Sequence, residues 1–286
     1  MKIYGFDFTS APGPRKPITC AVCDLLEGTL KLHTYVKLYN FTEFEAFLNS
    51  AGPWLAALDF PFGQPGRLIS RLGWPETWEG YIQFIAAVGK HSFEHTLTQY
   101  CASRPPGDKH HLRVTDVRAA SRSPMMLHCV PVAKMFFQGA PRLLASGVNI
   151  LPSRPTNDNR MVVEGYPALV ARRWIDRRSY KSDERSQQTA AKAAARQAIL
   201  RGLRSPELLD YYGYTLEIPT ALAEALIEDP KADSLDALLC AVQAAWAYSQ
   251  RNNGYGIPSH CDPLEGWIVD PAMLHGELDQ HPNNTD

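Results

Sequence analysis

Two acidic residues stand where carboxylates could do metal chemistry. Asp7 and Asp59 each close an apolar run just before a Pro/Gly turn, in KIYGFDFTSAPGPR and WLAALDFPFGQP. A lone carboxylate at the end of a buried strand is costly unless it is paired or binds a cation. If the two strands are parallel neighbours, both carboxylates emerge at one sheet edge and repel each other. A divalent ion, Mg²⁺ or Mn²⁺, would relieve that repulsion.

A second acidic pair begins the Ala-rich helix predicted over residues 231–248. Asp233 and Asp236 are three positions apart, so they share a helix face with Cys240. In the plainer explanation Asp233 caps the helix and Asp236 stabilises its first turn. The pair could instead bring a third carboxylate to the metal, and the sequence leaves the choice between the two open.

Three further residues are candidates at the same edge. Glu164 ends the short apolar run 161–164, just before Gly-Tyr-Pro, so it could be another metal ligand or a brace for that turn. Arg15 and Lys16 follow Asp7 closely and could hold a phosphate. An exposed basic loop is the plainer explanation for both.

A different metal site is offered by His91, Glu94 and His95. Their HxxEH spacing is that of inverted zinc peptidases, and Glu164 could supply a third ligand. A five-residue match arises easily by chance in a chain with nine His. The same helix carries enough apolar residues to be a packing element, so we rank the zinc peptidase below a packed helix.

The elements that would position these residues form an α/β pattern. Period-two alternation and turn residues predict a meander of three strands, then a helix and a fourth strand parallel to an earlier one. A fifth strand ends at Glu164, which gives a mixed five-stranded sheet flanked by helices. The predicted strands are 2–8, 18–26, 30–39, 54–60 and 161–164, and the predicted helices are 43–50, 76–100, 130–146, 168–178, 185–203, 205–212, 219–228 and 231–248.

The chain divides into a core and an insertion. Residues 1–65 and 159–275 carry the predicted sheet, and residues 66–158 form a mostly helical insertion, a lid or substrate-binding subdomain. Within it, 103–124 is basic and irregular. Residues 276–286 are a polar tail.

Composition sets few limits on function. The 286 residues are 45% hydrophobic with a net charge of −1, so total charge indicates no partner. Ten Lys/Arg against three acids between 172 and 204 could hold a phosphate backbone or simply form a solvated helix face. The six cysteines show no pairing pattern and no apolar run could span a membrane, so we expect a cytoplasmic protein with reduced thiols.

Five short motifs resemble those of the DUF429 family, described as predicted RNase H-like nucleases. They are DFTSAP, DFPFG, VEGYPA, DSLDALLCA and LEGWIVDP. The order of the predicted elements is also similar to an RNase H-like fold. The resemblance implies that Asp7, Asp59 and Asp233 and/or Asp236 form the acidic cluster of such nucleases. It makes Glu164 the acid of an ExYP motif.

The resemblance implies a nuclease that hydrolyses phosphodiester bonds with Mg²⁺ or Mn²⁺ held by these carboxylates. Its substrate would be a nucleic acid or a nucleotide. A catalytically inactive binding protein on the same fold is the main alternative. An actin-like phosphotransferase is less favoured, because it would need a duplicated core and glycine-rich phosphate loops, which the sequence lacks.

Overall fold

The computed structural model describes residues 1–274 and contains one mixed sheet within them. The predicted tail 276–286 lies outside the described residues. The strands are β1 (Lys2–Asp7), β2 (Ile18–Leu26), β3 (Thr29–Leu38), β4 (Trp54–Leu58), β5 (Asn149–Ile150), β6 (Arg160–Glu164) and β7 (Thr215–Glu217).

The order of the strands across the sheet is β5-β6-β4-β1-β2-β3-β7. Strands β1, β2 and β3 form the predicted antiparallel meander, and β4 runs parallel to β1. Strand β6 is parallel to β4, with Phe6 level with Leu58 and Leu58 level with Glu164. The carboxyl ends of β1, β4 and β6 therefore meet at one edge, where ligand sites form in open α/β sheets.

The prediction of five strands is wrong in number. Strands β5 and β7 extend the sheet at its two edges, each in a parallel pairing. They have two and three residues, too few to show the alternation by which a strand is recognised in a sequence.

Helices cover both faces of the sheet. Those in the described residues are α1 (Phe41–Leu48), α2 (Gly66–Leu72), α3 (Trp78–Ala102), α4 (Val114–Ala119), α5 (Val132–Ser146), α6 (Pro167–Ile175), α7 (Ala190–Leu203), α8 (Pro206–Tyr212), α9 (Thr220–Glu228) and α10 (Asp233–Ser249). The segment 103–124, predicted to be irregular, contains α4. No helix among these is both long and apolar enough to cross a membrane.

The insertion helices pack directly on the sheet. Phe6 and Leu58 share one buried apolar cluster with Tyr81 of α3 and Phe136 of α5. The opposite face of the sheet is covered mainly by α10, which is buried along almost its whole length. Because side chains alternate along a strand, β1 presents Ile3, Gly5 and Asp7 towards α10.

Gly5 sets the distance between β1 and α10. A Cβ at this position would lie 2.1 Å from the Ala237 carbonyl oxygen and 2.1 Å from the Ala241 backbone nitrogen. Both are backbone atoms in the middle of a helix, so they cannot turn away. The glycine allows the start of α10, with its two acids, to come close to the end of β1.

Replacing Gly5 by Ala is expected to lower the free energy of unfolding by about 3 kcal/mol, because the added methyl pushes α10 off the sheet. Urea denaturation measures the change. Gly13→Ala is the matched control, since a Cβ there meets nothing within 4 Å, and its effect should stay below about 0.5 kcal/mol. Equal effects of the two substitutions would refute the close approach.

Candidate active site

Three carboxylates converge at the carboxyl edge of the sheet. Asp7 ends β1, Asp59 directly follows β4, and Asp236 lies in the first turn of α10. The Asp59 backbone N–H donates to the Phe6 carbonyl at 3.0 Å, which holds the two strand ends side by side. Asp236 adds to the raised pKa of both other acids by repulsion. The structure thus places Asp7 and Asp59 at adjoining strand ends, with Asp236 near both.

Asp7 is buried at the end of β1. Its side chain is 5% exposed, and its Oδ2 atom is buried without a hydrogen-bond partner in the described chain. Burial, followed by repulsion from Asp236, raises the pKa of Asp7 well above its ordinary value. A buried carboxylate oxygen without a donor is costly, so this atom is a position where a cation would be stabilised.

Asp59 differs from Asp7 because its side chain is only partly buried and lines a cavity. Within residues 1–274 its carboxylate accepts no hydrogen bond from another side chain. Burial is the main cause that raises its pKa from 3.8 to about 7, while attraction to Lys181 opposes the rise. Asp59 can therefore gain or lose a proton near neutral pH.

Asp236 is fully buried and held by two neighbours in the loop between α6 and α7. The Tyr180 hydroxyl donates to its Oδ1 at 2.5 Å, and the Lys181 ammonium is bonded to its Oδ2. Burial lowers the pKa of Lys181, but the attractions of Asp236, Tyr180, Asp7 and Asp59 together outweigh it and raise this pKa well above its usual range. Arg196 of α7 fixes this loop by donating to the Tyr180 carbonyl at 2.8 Å.

Asp233 lies further out than Asp236. The Lys16 ammonium contacts its Oδ1 at 2.6 Å, and 13% of the Asp233 side chain is exposed. The plainer explanation of Asp233 as helix cap is wrong, because the capping position is Ala232 in a left-handed conformation with φ +60°. Lys16 thus contacts Asp233, the outer acid of the pair that begins α10. Arg15 is exposed.

Glu164 is on the other face of the sheet. It is level with Leu58, so it shares the side of Leu58 and not that of Asp59. Arg113 from the insertion grips it with two hydrogen bonds of 2.6 and 2.8 Å and also pairs with Asp116 at 2.7 Å. The Phe62 backbone N–H donates to the same glutamate at 2.9 Å.

The surroundings of Glu164 correspond to the bracing role that the sequence left open. Its burial raises its pKa, although Arg113 opposes the rise. The role of Glu164 as a metal ligand stays a prediction.

The histidine motif lies on α3, away from these acids. His91 and His95 are exposed, whereas Phe93 between them is buried. Glu94 contacts Lys90 at 3.9 Å. Glu164, which the sequence offered as a third zinc ligand, is engaged by Arg113 instead.

The donors at the carboxylate cluster fit a hard divalent cation in type. Asp7, Asp59 and Asp236 provide only oxygen, which Mg²⁺ and Mn²⁺ prefer, and Asp7 Oδ2 has no other partner. As the side chains stand in residues 1–274, no group of three or more His, Cys, Asp or Glu is arranged to hold a metal. Lys181 occupies one oxygen of Asp236, so a metal would have to compete with this lysine.

The pKa of Asp59 leads to a pH-dependent prediction. Because the folded value of about 7 lies above the ordinary 3.8, folding disfavours the ionised form, and stability is lost as pH rises through 7. In EDTA, the stability advantage of Asp59→Asn over the wild type should grow by about 2 kcal/mol between pH 5 and pH 8. Urea denaturation at several pH values measures it, and a constant difference would contradict the raised pKa.

Some arginines of the basic segment 172–204 are engaged by the protein itself. Arg172, Arg196 and Arg204 donate to backbone carbonyls of other segments, although Arg204 is itself exposed. Lys181 is the basic residue of this segment that contacts the cluster, and no sequence pattern singled it out. A lysine in a loop has no periodicity or motif that would have marked it.

The comparisons with known proteins identify the family. A sequence model of the family described as "Protein of unknown function (DUF429)" matches residues 5–261. The chain belongs to the DUF429 family. The DUF429 match includes the three clustered carboxylates and both lysines that contact the acids of α10. Neither the curated proteins nor the solved structures gave a match.

Proposed function

We propose that this DUF429 protein is a metal-dependent nuclease that hydrolyses phosphodiester bonds with Mg²⁺ or Mn²⁺ at Asp7, Asp59 and Asp236. The observation that carries the proposal is the buried, unpartnered Oδ2 of Asp7, which has Asp236 beside it and Asp59 at the adjoining strand end. Natural proteins rarely bury several acids together without a cation or a shared proton. Strongly raised carboxylate pKa values beside a cavity are typical of functional sites.

The arrangement of the sheet supports an RNase H-like core as part of this proposal. The five central strands, β3-β2-β1-β4-β6, follow the antiparallel-then-parallel pattern that the family resemblance implies. Strands β5 and β7 are short additions at the edges. The late acidic helix is α10, which packs against β1 through Gly5.

Each side chain would have a distinct part in the reaction. Asp7, Asp59 and Asp236 would hold the metal, which when bound polarises the scissile phosphate and makes the attacking water more acidic. The proton that Asp59 carries below about pH 7 would compete with the metal, so binding should strengthen as pH rises.

The lysines would act on the substrate. Lys181 keeps 44% of its side chain exposed and Lys16 keeps 36%. Each ammonium could therefore leave its aspartate for a phosphate oxygen of the substrate, where its charge would offset that of the phosphate. Cytoplasmic location and the absence of a membrane role belong to the same proposal.

A cleavage assay tests the proposed function. Single-stranded and duplex DNA and RNA, and a dinucleotide, are incubated with the purified protein in Mg²⁺, in Mn²⁺ and in EDTA. The proposal expects cleavage of at least one substrate with either metal and none in EDTA. Binding of nucleic acid without cleavage under all conditions would favour the inactive binding protein instead.

A further inference from the structure

A cavity of about 340 Å³ opens beside Asp59, just beyond the carboxyl edge of the sheet. The turn after β4 and the start of α6 form its base. The insertion, between Arg113 and Met135, forms a second side, and the loop 178–181 closes a third. Its volume is within the range of small-molecule sites. The insertion, which has no part in the carboxylate cluster, thus helps to build a space that ends at one of its members.

The walls of this cavity are largely apolar. Phe60 and Pro61 line one side, and Val130, Val132 and Met135 line another. Val130 leaves 45% of its surface exposed, although it is a large hydrophobic residue. Apolar side chains around an open cavity favour a ligand that has an apolar surface of its own.

An aromatic ring stands in the same wall. Tyr166 lines the cavity, and Arg172 holds it in place from outside with a 3.2 Å hydrogen bond to its hydroxyl. Its backbone N–H donates to Gln243 of α10 at 2.7 Å, which fixes the residue at both ends. A fixed aromatic ring is a good stacking surface for a flat heterocycle.

Cations line the cavity together with these apolar groups. Arg122, Arg178 and Lys181 all border it, and all three residues are exposed. In the described part of the chain neither arginine forms an ion pair with an acid. Arg178 uses only its Nε, which donates to the Ile175 carbonyl at 3.0 Å. Free guanidinium nitrogens are well suited to phosphate oxygens.

From these features we infer that the cavity receives one unpaired nucleobase of the substrate, with the adjoining phosphate held by Arg122, Arg178 and Lys181. This inference rests on the proposed function, because it places the phosphate next to Asp59. A base inside a duplex is stacked on both faces and cannot enter such a cavity without leaving the helix. The preferred substrate is therefore a single strand or a nucleotide turned out of a duplex.

Binding of a fluorescent single-stranded 12-mer tests the inference independently of cleavage. Fluorescence anisotropy is measured with Ca²⁺ in place of Mg²⁺ and again in EDTA, for DNA and RNA forms. Each strand is compared with its duplex, with a version that has abasic sites throughout, and with AMP as competitor. Val130→Glu puts a charge into the apolar wall, and Val117→Glu is the matched control, since Val117 is 55% exposed and lies outside the cavity.

We expect the abasic strand, the duplex and Val130→Glu each to weaken binding by about 10-fold or more, while Val117→Glu binds like the wild type. Competition by AMP as strong as by the strand would identify a free nucleotide as the occupant. Equal binding of the normal and abasic strands, or no binding in either condition, would overturn the inference. If base-dependent binding occurs without any cleavage in Mg²⁺ or Mn²⁺, the cavity assignment stands and the nuclease proposal fails.

Discussion

Asp7→Asn is expected to lower metal-dependent cleavage by at least about 1,000-fold. The amide keeps the size of the side chain but removes the negative charge beside Asp236 and replaces one oxygen donor with an NH₂ group. Because Asp7 is buried and its Oδ2 lacks a partner, the variant should fold at least as stably as the wild type. Loss of activity therefore reports loss of the cation site and not unfolding.

Asp183→Asn is the control for this experiment. Asp183 is 72% exposed and lies 3.7 Å from Lys16 on the outside of the cluster. The Asp183→Asn substitution removes one negative charge from the same region but should change cleavage less than about twofold. Asp7→Asn with wild-type activity, or equal losses for both variants, would contradict a role for Asp7 in the reaction.

Arg113→Met is expected to lower the free energy of unfolding by about 3 to 5 kcal/mol. The substitution leaves Glu164 and Asp116 buried without their common partner, and both carboxylates are less than 4% exposed. It also cuts the link between the insertion and the end of β6. Urea denaturation at pH 7.5 gives the change.

Two further variants decide whether the unpaired charges of Glu164 and Asp116 cause the loss of stability in Arg113→Met. Arg67→Met removes an exposed arginine that pairs with Asp108, and its cost should stay below about 1 kcal/mol. Adding Glu164→Gln to Arg113→Met should recover part of the lost stability, because it removes one of the stranded charges. If the double variant is no more stable than the single one, the loss is due to packing and not to a stranded charge.

Much of the positioning of the site was predictable from the sequence. Asp7 and Asp59 were expected at adjacent strand ends because each closes an apolar run before a Pro/Gly turn, and the register of β1 with β4 bears this out. The spacing of Asp233, Asp236 and Cys240 placed all three on one face of the late helix. Cys240 does lie near the cluster, since repulsion from Asp59 adds to the rise of its pKa, which burial chiefly causes.

The remainder depended on contacts between distant segments. Arg113 is 51 residues from Glu164, and nothing in the spacing of the two predicts a bidentate pair. Lys181 reaches Asp236 from a loop whose course is fixed by Arg196. Arg196 is one of the ten basic residues between 172 and 204, for which the sequence predicts either a phosphate-binding or a solvated face. The face on which Glu164 lies follows from strand register, and the sequence showed only that an acid ends this strand.

The central claim is that the carboxylate cluster holds a divalent cation. Calorimetric titration of Mn²⁺ at pH 7.5 tests it without any substrate, with Asp7→Asn and Asp183→Asn measured beside the wild type. We expect the wild type and Asp183→Asn to bind Mn²⁺ alike, Mg²⁺ to compete, and Asp7→Asn to weaken binding at least about 10-fold. No binding by the wild type at millimolar Mn²⁺, or equal binding by Asp7→Asn, would contradict it.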